Sequence, residues 1–330
     1  MLSCQRMIRK NKNPQSSLYR VVIRSALIAG WKERRLWGLA ILAGLLHTGG
    51  ILDVMVRTLQ TISEQTPSIF STNWLIPLPT TFFGMTALTI KTGVALLMLL
   101  TIFIASVISQ SALAIGVSPR NATRPRLALL QLLFAAGRFF WPVATLNVIS
   151  LGLLWGSRFL LLLPLGFSLR DPSFLSVFIY LAAYCLFLGA SLALTALHFF
   201  ALQAIVIDQR TLMVALVRCY EHFKRAWVIV VETALVLTLV GVAIFAFTLL
   251  VFAVAVIPLF LLLAVAATLG YQTVVGIGML IGILLFFALL FLAGSYAITM
   301  QYAAWGDLYL RIDERSARAK IHRLLHWLIA

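Results

Sequence analysis

Asp53, Arg158, His198 and Glu232 can carry charge or move a proton, and all sit inside or beside long apolar runs. Ionised groups are costly in such surroundings, so each is expected to face a partner or a cavity. Counted along a helix, Glu232 lies five residues past Trp227, or about 7–8 Å inward, and His198 falls at a similar depth. An imidazole and a carboxylate meeting there could relay a proton or contact a polar substrate. The plainer alternative is an interhelical hydrogen bond or a snorkelling carboxylate. Arg158 could pair with Asp53 or Asp171. Anion binding would need a second cation beside it, whereas a structural ion pair or a snorkelled arginine needs no ligand. His47 is read as a helix-packing residue.

Other chemistry is not expected. The chain has no Gly-Lys-Ser or Gly-Lys-Thr phosphate loop, no His-Glu-x-x-His, no Gly-x-Ser-x-Gly and no paired carboxylates. Gly276, Gly278 and Gly282 lie in an apolar helix, where glycine spacing reports close packing. Cys4, Cys185 and Cys219 occupy unrelated settings that give neither a disulfide framework nor a metal-binding spacing. The expectation is a protein that is not an enzyme and uses no cofactor or metal.

The elements that carry these residues are membrane helices. Hydrophobic residues make up 62% of the chain, charged residues 11%, and the mean hydropathy is +1.02, far above a soluble domain. The net charge of +16 sits mostly in short segments flanking the apolar runs. That placement points to anionic lipid headgroups, and away from nucleic acid.

One stretch recurs as a pattern. Within Asp208 to Leu239, Leu212, Leu216, Tyr220 and Phe223 repeat at helical spacing, with Arg218, Glu221, His222 and Arg225 opposite them. This predicts a helix flat in the headgroup region that turns at Trp227 into a span. Earlier, Leu18, Tyr19, Val22, Ile23, Ala26 and Leu27 face away from Arg20 and Arg24, ahead of Trp31, Trp37 and an apolar run. Leu127 to Phe140 carries Arg138 before Trp141 and Pro142. Three copies of flat helix, aromatic and basic corner, and spanning hairpin predict a threefold internal repeat.

The predicted class is all-α: a polytopic membrane protein with six transmembrane helices and three interfacial amphipathic helices. Spans are expected near Leu36–Val56, Thr92–Val117, Trp141–Leu165, from the Asp171–Pro172 pair to Ile207, from Trp227, and Val274–Tyr296. Residues 1–17 read as a basic tail with Ser17 a candidate N-cap, residues 18–310 as the membrane domain, and residues 311–330 as a basic amphipathic tail. The run from Trp227 to Leu269 is too long for one crossing: either a span followed by a re-entrant or interfacial piece broken at Pro258, or two crossings. With six spans, every Lys and Arg except Arg57, Lys91, Arg158 and Arg170 falls on one side. Both termini are then cytoplasmic, in the plasma (inner) membrane.

Val206, Asp208, Ala215, Leu216, Arg218, Phe223, Arg225, Ala226 and Trp227 carry a resemblance. Their segment resembles the membrane domain attached to some bacterial glycerophosphoryl diester phosphodiesterases, and related stand-alone six-span proteins. Catalysis in that group resides in an appended soluble barrel, for which this chain has no room. The resemblance therefore implies fold and membrane placement only. The expected function is a non-enzymatic scaffold or accessory protein that engages anionic headgroups, or a membrane or cytoplasmic protein partner. Arg20, Arg24, Arg138, Arg218 and Arg225 would make the contact. The alternative is a transporter or permease subunit, with a site between spans four and five.

Overall fold

The computed structural model describes residues 18–45, 88–119, 128–170 and 173–313, and no strand occurs among them. The helices are α1 (Leu18–Lys32), a 3₁₀ turn (Arg34–Leu36), α2 (Trp37–Leu45), α3 (Leu88–Val117), α4 (Leu129–Gly137), α5 (Phe140–Arg170), α6 (Phe174–Val206), α7 (Leu212–Thr268) and α8 (Gln272–Asp313). Among the described residues, α3, α5, α6, α7 and α8 are long and apolar enough to cross a membrane. They mark a multi-pass membrane protein, in which each segment must satisfy its own backbone hydrogen bonds. Residues 1–17, span one beyond Leu45, most of the 58–90 connection and the tail from 314 lie outside the described residues.

Two boundaries differ from the sequence reading, and the bend in α7 agrees with it. First, α6 opens at Ser173: its Oγ accepts from the Ser176 N–H at 3.2 Å, and the Ser176 Oγ accepts from the Ser173 N–H at 3.0 Å. This reciprocal pair satisfies two orphan donors of the first turn, while Asp171 and Pro172 lie outside the described residues. Second, the chain does not break at Pro258, which is embedded within α7. A proline removes only one backbone donor, and the helix continues past it. The bend lies at Ala226 (φ −131°, ψ 22°), one residue from the corner expected at Trp227.

The turn after α7 is a single reversal. Gly270 takes φ +78°, a left-handed conformation that suits glycine. Its N–H donates to Ala267 O at 3.1 Å, and the Tyr271 N–H donates to Ala266 O at 2.9 Å. This pairing ends the helix and sends α8 back along α7. Gly278 then lies against Leu263 and Gly282 against Leu259, so the hairpin closes where side chains are missing. Phe252 and Phe286 meet edge to face at 5.0 Å. No charged residue occurs between Glu232 and Asp307, which flank this hairpin.

The core sits at one end of the bundle. Leu36, Leu113, Leu132, Leu146, Phe199, Phe200, Ile205, Tyr302, Trp305 and Leu308 are buried in one cluster, into which Val22, Ala26, Ala215 and Val230 also pack. α8 is the hub, touching α1, α2, α3, α6 and α7. Away from that end, Leu97, Phe178, Leu186, Phe247, Phe260 and Leu284 are exposed, as expected of side chains that face lipid. Gly116 of α3 lies where a Cβ would come within 2.7 Å of Leu36 and 3.3 Å of Leu132. Gly116→Leu should therefore overpack this end and destabilise the protein by about 1–3 kcal/mol. Thermal unfolding in detergent checks this, with Gly38→Leu, which meets open space, as the control.

Candidate functional site

Two sets of polar side chains are built into the buried end. The first is a ladder across four helices. Gln110 of α3 donates from Nε2 to Ala43 O of α2 at 3.4 Å and accepts through Oε1 from Asn147 Nδ2 of α5 at 2.7 Å. The same Asn147 nitrogen also donates to Val143 O at 2.9 Å. One turn on, Ser150 Oγ lies 2.9 Å from His198 Nδ1 of α6. Gln110, Asn147 and His198 are buried, so these bonds form away from water and fix how the helices are set against one another.

The second set fastens the short helices to α8. Asp307 accepts from Ser25 Oγ of α1 at 2.7 Å and is gripped by Arg311 Nε at 2.9 Å. Tyr309 Oη donates to Asp208 at 2.7 Å, and Arg218 Nη1 of α7 stands 3.6 Å from the same Asp208 oxygen. His222 stacks on Tyr309 with ring centroids 5.6 Å apart and donates from Nδ1 to Arg218 O at 2.8 Å. Phe199 and Phe200 of α6 pack against Tyr302, Trp305 and Tyr309, which closes α6 onto α8. Gly30 of α1 lets the helix close on Tyr296 and Met300. Its carbonyl accepts from Trp37 Nε1 at 3.0 Å, and Trp31, Trp37 and Tyr296 form a triangle of edge-to-face contacts.

No protein-family model, curated protein or solved structure matches this chain. The candidate site therefore rests on its own geometry.

The residues singled out from sequence divide accordingly. His198 is held by Ser150, while Glu232 is half-buried on α7 and makes no hydrogen bond or ion pair with a described residue. The two do not form the pair that equal depth suggested. Arg158 falls on α5, and Asp53 lies outside the described residues. Arg20, Arg24, Arg138 and Arg225 are exposed, with the Arg138 guanidinium 4.6 Å from the Phe139 ring centroid. Arg218 differs, being half-buried and paired with Asp208.

The face assigned to the start of α7 holds at Leu212, Leu216 and Phe223, which pack against the core, and at the exposed Glu221 and Arg225, but fails at two positions. His222 is buried and Tyr220 is 60% exposed, the reverse of the expected sides. The inward face is Ala215, Cys219 and His222, and a second apolar face of Met213, Val217 and Tyr220 points out. A helix apolar on two sides cannot be assigned a single inward face by periodicity. Sequence reasoning also missed Gln110 as a partner for Asn147, and Asp307 and Asp208 as anchors. The usable signal was their rarity, as polar groups at the ends of or inside apolar runs.

Buried polar groups without hydrogen-bond partners among the described residues include the Gln203 amide, which lies against Gly306, the Tyr302 hydroxyl and Trp305 Nε1. No group of His, Cys, Asp or Glu among the described residues is arranged to hold a metal ion.

The ladder predicts non-additivity. Gln110→Leu or Asn147→Leu alone should cost about 1–3 kcal/mol, because each strands a buried amide. The double variant should cost less than the sum, as a double-mutant cycle in thermal unfolding would read. Asp307→Ala should release α1 from α8, with a loss of about 1–3 kcal/mol for a charged acceptor. Faster amide hydrogen exchange across residues 18–32, with α3 unchanged, is the expected result.

Proposed function

We propose that this protein is a non-enzymatic, multi-pass membrane scaffold or accessory protein of the plasma (inner) membrane that engages anionic lipid or a partner protein through a basic cytoplasmic face. One observation carries the proposal. Arg20, Arg24, Lys32, Arg34, Lys224 and Arg225 are exposed at the end of the bundle where α1 and the first part of α7 meet α8, and none forms an ion pair with a described residue. Of the nearby acids, Glu33, Asp208 and Asp307 are committed to Arg35, Arg218 and Arg311, which leaves the exposed Glu221 to offset one of these six cations. The face is thus left with uncompensated positive charge, which attracts anionic headgroups.

Its composition supports an interfacial position. Ile28 and Trp31 stand exposed beside the α1 cations, Leu130 and Phe134 stand exposed on α4 ahead of Arg138, and Met213, Val217 and Tyr220 stand exposed beside Lys224. α1, α4 with Arg138 at its end, and the start of α7 each pack one side on the bundle and leave apolar and cationic side chains exposed, which suits the boundary between headgroups and acyl chains. The proposal includes six spans, three such amphipathic helices in a threefold repeat of hairpins, and both termini in the cytoplasm. The likeness to the phosphodiesterase membrane domain belongs to it as an expectation of fold.

The transporter alternative keeps one supporting observation, the unsatisfied Gln203, Tyr302 and Trp305 groups between α6 and α8. Gln203→Leu separates the two: a polar-substrate site would lose flux, whereas a packing position would be neutral or stabilised.

Native mass spectrometry of the protein released from its own membrane tests the main proposal. Anionic lipid or a protein partner should copurify, and joint neutralisation of Arg20, Arg24, Lys224 and Arg225 to Gln should strip it. A protein that carries neither, or that keeps them after neutralisation, would overturn the scaffold function.

A further inference from the structure

From the outer side of α1, we infer a binding strip for a lipid that carries two phosphates joined by a glycerol bridge, of the diphosphatidylglycerol class. The inference rests on the anionic-lipid form of the function proposed above and specifies its ligand.

The strip follows from helix geometry. Arg20, Arg24, Leu27 and Trp31 recur at intervals of four, three and four residues, so they share one face of α1; of the apolar set expected opposite the arginines, Val22 and Ala26 are buried, whereas Ile23 and Leu27 border the same groove as Arg20 and Arg24. Two shallow grooves run along this face. One is lined by Arg20, Ile23, Arg24, Leu27 and Ile28, the other by Leu27, Ile28, Trp31, Lys32 and Arg34. They share Leu27 and Ile28, so the strip has a pair of cations at each end and one apolar saddle between them.

The rotation of the strip is fixed from behind. Val22 and Ala26 are buried, Gly30 sits against Tyr296 and Met300, and Ser25 is bonded to Asp307. α1 therefore cannot roll its cations inward without breaking these contacts. One end is preorganised further: Trp31 is wedged against Trp37 and Tyr296, and the Arg34 guanidinium lies 5.0 Å from the Trp31 ring centroid. Ordering these side chains before the ligand arrives lowers the entropic cost of binding.

Charge complementarity and the shared saddle select the ligand. Arg20, Arg24, Lys32 and Arg34 form no ion pair with a described residue, so both ends can take a phosphate. Arg24 and Lys32 are separated by about 12 Å of helical rise. Long flexible side chains can close that gap from both ends. Two separate single-phosphate lipids would have to lay their acyl chains on the same Leu27 and Ile28 surface. A lipid with two linked phosphates occupies both ends with one set of chains. An acidic peptide would meet the charge but leave the exposed Ile28 and Trp31 without an apolar partner.

The test is a native mass spectrometry titration of the full chain in neutral detergent with diphosphatidylglycerol and with phosphatidylglycerol of matched acyl chains. The two-phosphate lipid should bind about tenfold more tightly or better, a difference of about 1.4 kcal/mol. Arg24→Gln and Lys32→Gln, each alone, should reduce it to the phosphatidylglycerol level. Arg210→Gln, at an exposed cation outside both the strip and the basic face, should preserve the preference. These positions are exposed, so thermal unfolding should stay at the wild-type midpoint, and Arg24→Lys should retain most of the binding if charge is what matters. Equal affinity for the two lipids, or a preference that survives both Gln variants, overturns the strip while leaving the basic-face function standing. Absence of any anionic-lipid adduct removes the lipid function and the strip with it. Displacement of bound lipid by an acidic peptide of matched charge would assign the strip to a protein ligand and equally overturn the inference.

Discussion

Two carboxylates, Asp307 within α8 and Asp208 in the turn ahead of α7, hold the basic end of this protein together. Asp307 joins α1 to α8 through Ser25, and Asp208 joins the start of α7 to α8 through Tyr309 and Arg218. Each lies mostly out of water, where a lone carboxylate is expensive, and each is compensated by an arginine and a hydroxyl. The orientation of every exposed cation on α1 and α7 follows from these fastenings. If either helix were free to roll, its charges would present no fixed pattern to a ligand.

The interior applies the same economy with neutral groups. Helices that are apolar on all sides gain little by burying one another in lipid, because the lipid is equally apolar. Gln110, Asn147, Ser150 and His198 supply direction instead, linking α2, α3, α5 and α6 through bonds that only one register satisfies. Aromatic stacking on Trp305 and Tyr309 does the same work between α6, α7 and α8. His198, which from sequence could belong to a proton-handling pair, is in this arrangement a fastening.

Much of this was legible in the residues. The apolar runs marked α3, α5, α6, α7 and α8 as membrane helices, and the aromatic corner at Trp227 falls one residue from the bend at Ala226. The exposed positions of Arg20, Arg24, Arg138 and Arg225 also agreed with their spacing. What failed was pairing. Equal depth suggested Glu232 for His198, yet depth leaves open which helix faces which, and Ser150 took that place. Periodicity misassigned Tyr220 and His222 because the start of α7 is apolar on both its inner and its outer side. A break at Pro258 is one of two alternatives for this run in the sequence, because proline ends helices in water, where competing solvent is at hand. Within α7 it leaves the helix continuous.

The uncharged hairpin has a mechanical consequence for the membrane around it. From Glu232 to the Gly270 turn, and from there to Asp307, each arm runs for about 55 Å at helical rise, against a hydrocarbon thickness of about 30 Å. Two arms that touch along their length cannot shorten independently, so the mismatch is relieved by leaning together or by stretching the neighbouring acyl chains. Either response makes the protein sensitive to bilayer thickness. On these lengths such a hairpin would favour the thicker regions of a membrane, whatever its basic face is bound to.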